Sequence, residues 1–448
     1  MKSQGIIVGL DIGTTKIAVI VGQKNDHGKV EILGYGKVPS IGVKRGVVSN
    51  IENTIQSIKE AVEEASQKSG VNINVVNVGI AGQHIKSMYH RGSLMREDTE
   101  SEISQEDIDK LCNSMFNLNM NPGEEILEVI PQEFSIDNEN CIRQPRGMSG
   151  NHLEANFHII IGQTAAAKNI YKCVRRAGLE VSDLILEPIA SAEAVLSEEE
   201  KEAGVVLVDI GGGTSDIAIF HEGIIRHTAV IPLGGEIISE DVKEGCSIIK
   251  KHAEELKIRF GSALASENKD EEIIAIPGLR GRAPKEISLK NLASIIQARM
   301  EEIIEHIFYE IRNSGYEKKL IGGIVLTGGG AMLKHAAQLT EFMTGLDTRI
   351  GYPNEHLAKD VPPEMASPMF ATSIGLVLVG IDRYDKEMAR LKELEPVFVE
   401  ESSSAVTESV PKQKREKKKK VKETSEPGKK FTEAFLEKIK NWFDEETE

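Results

Sequence analysis

The chain has 448 residues, 40% hydrophobic and 28% charged, with 54 Lys and Arg against 70 Asp and Glu, a net charge of −16. That length exceeds one ordinary core, so two lobes or more of a soluble globular protein are expected. The acidic balance argues against nonspecific nucleic-acid binding by the body; four scattered cysteines (Cys112, Cys141, Cys173, Cys246) argue against a disulfide framework, and neither a signal peptide nor an apolar run of transmembrane length is read.

The first element is an apolar strand, residues 6–8, running into Leu10-Asp11-Ile12-Gly13-Thr14-Thr15-Lys16 and out into a second strand, residues 17–20. Strand, glycine turn, strand is a phosphate-gripping pattern. Bare backbone N–H groups approach a polyphosphate, hydroxyls add donors, and an aspartate at the mouth holds a hydrated Mg²⁺. An amphipathic helix is expected over residues 53–69, with Ile55, Ile58, Ala61, Val62 and Ala65 at helical spacing, then over 75–82 a buried strand ending in a turn. Between about 87 and 161 the composition shifts. Ser104 opens a helix over 104–116 with a capping signal, and residues 129–134 and 155–161 read as strands of a small inserted α/β subdomain.

A helix over 165–177 follows, then Glu187-Pro188 and the small residues Ala190, Ser191, Ala192 and Ala194, which suit a crossover helix packed tightly between lobes. The phosphate pattern then returns as Val208-Asp209-Ile210-Gly211-Gly212-Gly213-Thr214-Ser215-Asp216, again flanked by apolar strands. A helical insert is expected over 233–318, including the tract 291–312. A third glycine turn, Thr327-Gly328-Gly329-Gly330-Ala331-Met332, ends a buried strand and opens a helix, fit to receive adenosine against bare backbone. Residues 371–378, again small, return the chain to the first lobe. From about 394 order is expected to fail through the lysine-rich run 412–422. Phe431, Phe435, Leu436, Ile439, Trp442 and Phe443 then fall on one stripe of an amphipathic helix. Upstream basic residues and the Trp/Phe face point to a lipid surface; docking on a partner or on the body is the alternative, and Glu433, Glu437 and Glu445 weigh against lipid. A nucleic-acid role for the lysine run is the remaining reading.

No Gly-x4-Gly-Lys-[Ser/Thr] or Gly-x-Gly-x-x-Gly occurs, which excludes a P-loop and a dinucleotide fingerprint. The three turns in this order resemble the actin, Hsp70 and sugar-kinase ATPases. Within that group the runs 129–137, 146–150 and 153–159 resemble the FtsA family of bacterial cell-division proteins, over about residues 5–385 with a matching tail layout. The resemblance implies an α/β, actin-like two-lobed fold of subdomains 1A (1–86, 163–203 and the return 371–393), 1C (87–162), 2A (204–232, 319–370) and 2B (233–318), with a basic linker (394–428) and a membrane-targeting helix (429–448).

ATP and Mg²⁺ are the implied ligands. Asp11 and Asp209 are expected to hold Mg²⁺ through water, and Gly13, Thr14, Thr15, Gly211, Gly212, Gly213 and Thr214 to contact phosphate. Lys16 either neutralises phosphate charge or is merely exposed. Gly328, Gly329, Gly330 and Met332 are expected to border adenosine; Glu254 and Lys257 sit on the family's helix over base and ribose, or form an ordinary surface pair. Glu187 matches the carboxylate that orients water on the γ-phosphate, or is a loop or cap residue; turnover is expected to be weak at most. Arg299 and Glu302 lie where the C-terminal peptide of the tubulin-like GTPase FtsZ docks in such proteins, although an Arg/Glu pair one turn apart is also a common solvated ion pair. The implied function is a polymerising actin-like tether of the division ring at the cytoplasmic membrane face, recruiting later division proteins. Competing readings are a pilus-assembly-type actin-like scaffold and a small-molecule kinase; a heat-shock chaperone fails for want of a peptide-binding domain after the ATPase.

Overall fold

The computed structural model describes residues 5–96, 101–269, 271–277, 283–359 and 361–394. The expected linker and amphipathic helix, with Phe431 to Phe443, lie outside the described residues.

The first sheet is built from β1 (Ile7–Ile12), β2 (Lys16–Lys24) and β3 (Val30–Pro39), antiparallel neighbours in sequence order. A two-residue hairpin of β4 (Val43–Lys44) and β5 (Val47–Val48) precedes α1 (Ile51–Ser69) and β6 (Val75–Ile80), which joins β1 in parallel. Helix α1 starts two residues before the sequence expectation, because Asn50 accepts a bond from the Asn53 N–H and caps it there; Gly70, left-handed, ends it.

The chain then leaves this sheet. β7 (Lys86–Met95), α2 (Gln105–Met115), β8 (Glu124–Ile136), β9 (Glu139–Ile142) and β10 (His152–Gln163) make a separate antiparallel sheet ordered β7-β10-β8-β9. Ser104 and Asp107 close a full capping box on α2. The two strands expected here are each longer than read, and β7 is an element the sequence did not announce: exposed residues fall on both of its faces, Lys86 on one and Tyr89, Arg91 and Ser93 on the other, which blurs alternation. A register shift near Pro131, opposite Phe157, is where a residue without an N–H interrupts the ladder.

Helix α3 (Thr164–Arg176) and β11 (Glu180–Leu186) complete the first sheet, ordered β11-β6-β1-β2-β3, and α4 (Glu187–Val195) and α5 (Glu198–Ala203) lead to the second lobe. There β12 (Val205–Ile210), β13 (Ser215–His221) and β14 (Ile224–Ile231) repeat the antiparallel meander. After α6 (Gly235–Gly245), α7 (Lys250–Phe260), the hairpin β15 (Ile273–Ile276) and β16 (Lys285–Ser288), and α8 (Leu289–Asn313), the chain re-enters as β17 (Ile324–Thr327), α9 (Ala336–Thr344) and β18 (Thr348–Ile350). The second sheet is ordered β14-β13-β12-β17-β18, with β17 and β18 parallel to β12, the same plan as the first. The expected helix start at the third glycine turn is instead a short 3₁₀ turn over Gly330–Met332, and α9 begins only at Ala336, behind a left-handed His335.

Helix α10 (Ala371–Leu394) closes the body. One core packs α1 and α3 on the outer face of the first sheet, and another packs α6 to α9 on the outer face of the second. A third lies between the sheets, where Ala18 and Ile20 meet Ala192, Ala194, Leu207, Ala218, Ile374 and Val377. Helices α4 and α10 cross there so closely that a Cβ on Gly375 would lie 1.8 Å from the Ala190 carbonyl oxygen.

Candidate nucleotide site

Each glycine turn ends a strand whose neighbours hold it from both sides, so the three turns emerge at the same end of their sheets. Asp11 is the next-to-last residue of β1 and Asp209 the next-to-last of β12. Both carboxylates are buried, and both are held by hydroxyls from the crossover helices. Ser373 of α10 donates to Asp11 at 2.9 Å; Ser191 of α4 and Thr372 of α10 donate to Asp209 at 2.7 and 3.0 Å. Lys16 pairs with Asp11 and is mostly buried, so it is not an exposed post-turn lysine.

The structure brings the three turns into contact. A Cβ on Gly212 would lie 1.8 Å from Thr15 Oγ1 and one on Gly213 2.5 Å from Thr14 Oγ1, so the first and second turns face each other through bare backbone. The third turn rests on the second: a Cβ on Gly328 would lie 2.2 Å from Asp209 Oδ1, and one on Gly330 2.3 Å from Ile210 Cγ2. Gly328 is left-handed as well, with φ 81°. The α6 N-terminus is tied to the same place, since the Gly235 and Glu236 N–H groups donate to Gly211 and Gly212 carbonyls at 2.9 and 2.7 Å. Lys257 of α7 donates to the Gly235 carbonyl at 2.7 Å and to Glu254 at 2.8 Å, and Glu254 accepts from Ser239 of α6. Glu254 and Lys257 are therefore part of the wall behind the second turn. Met332 stands exposed at the end of the third turn, beside Ser367.

Glu187 opens α4 and faces Gly79 of β6, whose Cβ would lie 3.0 Å from Glu187 Cγ. Burial, then the charges of Asp11, Asp216 and Asp209, push its carboxyl well above the ordinary range. Burial likewise raises Asp209, against the lowering effect of its two hydroxyl donors. Asp216 was not singled out as a site residue, although it stands in the second motif and is the register partner of Asp209. It accepts from Thr214 Oγ1 at 3.0 Å through one oxygen, while the other is buried with no partner; burial and Asp209 push it up to about 8. Ser191, Thr372 and Ser373 were also missed. Their runs read as small packing residues, and only the crossing of α4 and α10 aims them at the two aspartates.

Four carboxylates, three glycine turns and the hydroxyls of Thr14, Thr15 and Thr214 fit a Mg²⁺-polyphosphate: the buried orphan oxygen of Asp216 calls for a donor, and the glycines of the facing turns carry no side chain that would keep a ligand from the backbone. Arg299 and Glu302 lie elsewhere. They pair with each other on α8, and Arg299 also clasps Asp241 of α6 at 2.6 and 3.1 Å.

Twin sheets joined by crossing helices, with glycine turns converging between the lobes, define the actin-like two-lobed class. Likeness to solved structures shows the same fold: the PilM-PilN type IV pilus biogenesis complex (TM-score 0.62, 16% identity, 84% of this chain and 99% of that one), and MreB5 of Spiroplasma citri bound to ADP (TM-score 0.50, 15% identity, 87% and 98%). The profile of cell division protein FtsA matches residues 206–375, and that of the SHS2 domain inserted in FtsA matches residues 82–161. Curated relatives, all cell division protein FtsA, include those of Pseudomonas aeruginosa (42% identical, 87% of this chain and 92% of that one), Escherichia coli K12 (35%, 84% and 90%) and Bacillus subtilis (34%, 84% and 84%). The chain belongs to the FtsA family of cell division proteins. The pilus likeness, at 16% identity, speaks for the fold alone.

Proposed function

We propose that this chain binds Mg-ATP between its lobes and, in that state, polymerises on the cytoplasmic face of the bacterial plasma membrane to anchor the FtsZ ring and receive later division proteins. The observation that carries the nucleotide reading is the convergence of Gly212, Gly213 and Gly328 on Thr15, Thr14 and Asp209. MreB5 of Spiroplasma citri, of the same fold, is bound to ADP in one structure and AMPPNP in another. In this reading Asp11 and Asp209 hold Mg²⁺ through water, and Gly13, Thr14, Thr15, Lys16 and residues 211–214 take the phosphates. Gly328, Gly329, Gly330, Met332, Glu254 and Lys257 border the nucleoside. Glu187, whose carboxyl is pushed upward by burial and then by its carboxylate neighbours, would orient water on the terminal phosphate; turnover is slow because the ligand serves mainly to set the lobe angle.

Subdomains 1A, 1C, 2A and 2B take the boundaries given above. Head-to-tail contacts run through 1C, and the α8 face with Arg299 and Glu302 in 2B takes the FtsZ peptide. Phe431, Phe435, Leu436, Ile439, Trp442 and Phe443 wedge into anionic lipid, with the 412–422 lysines supplying the second membrane signal. Electron microscopy on anionic lipid monolayers with Mg-ATP, comparing the full chain with one ending at Gly428, tests this. Lipid-bound filaments are expected only from the full chain. Filaments of equal density from both would remove the foot from the account, and none from either would remove the tether.

A further inference from the structure

One basic residue whose backbone abuts the second phosphate turn is not used by the reading above. Strands β4 and β5 pair Val43 with Val48 and Lys44 with Val47, leaving Arg45 and Gly46 as a two-residue turn. Both are left-handed, φ 49° and 74°, as a type I′ hairpin turn demands. Glycine and asparagine adopt that conformation easily; arginine does so at a cost, and such strain concentrates at functional positions.

The turn is wedged against both phosphate loops. The Gly46 N–H donates to Thr14 Oγ1 at 3.2 Å, and a Cβ on Gly213 would lie 2.9 Å from Arg45 Cα and 3.0 Å from Arg45 N. From behind, a Cβ on Gly46 would lie 2.8 Å from the Ala81 carbonyl oxygen, so the tip rests on the end of β6. Arg45 itself is exposed and has no hydrogen-bond or ion-pair partner among the described residues.

Charge balance gives this arginine its task. The lysine of the first turn, Lys16, is already paired to Asp11. A Mg-nucleoside triphosphate adds negative charge, most of it on the terminal phosphate. A guanidinium presents a fork of donors matched to phosphate oxygens and stays charged at every working pH. An arginine supplied in cis to a terminal phosphate is a recurrent device of nucleotide sites.

We propose that Arg45 is a nucleotide-contacting residue that reads the terminal phosphate, making the site discriminate a nucleoside triphosphate from a diphosphate. The proposal rests on the nucleotide reading, and its test separates the two. A fluorescent ATP analogue and its ADP counterpart are titrated, with Mg²⁺, into the full-length protein and its Arg45→Ala, Arg45→Gly and Arg45→Lys variants, and each is melted without nucleotide. Wild type is expected to bind both ligands. Arg45→Ala and Arg45→Gly should lose roughly ten- to hundredfold in ATP affinity with ADP affinity nearly unchanged, and Arg45→Lys should fall between, because it keeps the charge without the fork. Arg45→Gly should melt no lower than wild type, since glycine suits the left-handed turn, so its loss would not be a folding defect. Equal ATP affinity in wild type and Arg45→Gly would overturn the proposal and leave the nucleotide site standing, as would parallel loss of both ligands. No binding of either ligand by folded wild type would overturn the site and the proposal together.

Discussion

Buried polar side chains show how individual residues here act through what surrounds them. His158 is fully buried on β10; its Nε2 lies 3.1 Å from Thr228 Oγ1, its ring packs against Tyr89 at 5.2 Å, and its Nδ1 has no partner. Burial, helped by His227, lowers it from 6.5 to about 4. The unfolded chain therefore takes up a proton between about pH 6.5 and 4 that the folded protein refuses. Stability is full above 6.5 and falls as the pH drops through that window, by about 3 kcal/mol for the whole shift. Urea midpoints from pH 7.5 to 4.5 should fall less steeply for His158→Gln than for wild type; parallel slopes would show that other groups govern acid sensitivity. The same logic of desolvation raises Asp216, and the partners of Asp11 and Asp209 were not readable from the motifs: Ser373 is 362 positions from Asp11, and nothing local links them.

Two elements carry what individual residues cannot. Helices α4 and α10 were legible as tight packers from Ala190, Ala192 and Ala194 and from Ala371, Ser373 and Gly375. That they pack against each other is a tertiary fact, and Gly375 is where their backbones touch. Gly375→Ala should therefore cost about 1–3 kcal/mol, since the obstacle is a carbonyl and not a flexible side chain. A control at the exposed Gly178, left-handed but with open space around it, tests backbone strain without packing. Denaturant midpoints of the two variants separate the terms; a neutral Gly375→Ala would mean the helices can slide apart. The inserted sheet performs a second task at this scale. Edge strand β14 turns outward-facing carbonyls toward it, and Gln132 and Tyr89 donate to Ile225 and Arg226 oxygens at 2.9 and 2.5 Å. An edge that would otherwise be open is thus covered by side chains of β8 and β7.

Across the whole molecule, two sheets with one strand plan are joined through a shared core, and the proposed ligand would bridge the turns of both. A ligand held by both lobes and absent from the unfolded chain stabilises them together, by about 2.7 kcal/mol at a hundred times its dissociation constant. Calorimetry of the full chain with and without Mg-ATP should show the whole transition moving upward; movement of only part of it would mean that one lobe binds alone. Features encoded by neighbours in the chain were legible before any fold was known: the three glycine turns with Asp11 and Asp209, the alternation of strands and helices, and the family-specific runs between 129 and 159. Tertiary structure alone decided which hydroxyls hold the two aspartates, that Arg45 abuts Gly213, and that α9 starts six residues after Gly330 begins its 3₁₀ turn. Local motifs persist because backbone geometry needs particular residues at fixed spacing. Contacts across hundreds of residues are chosen by packing, which no short window of sequence contains.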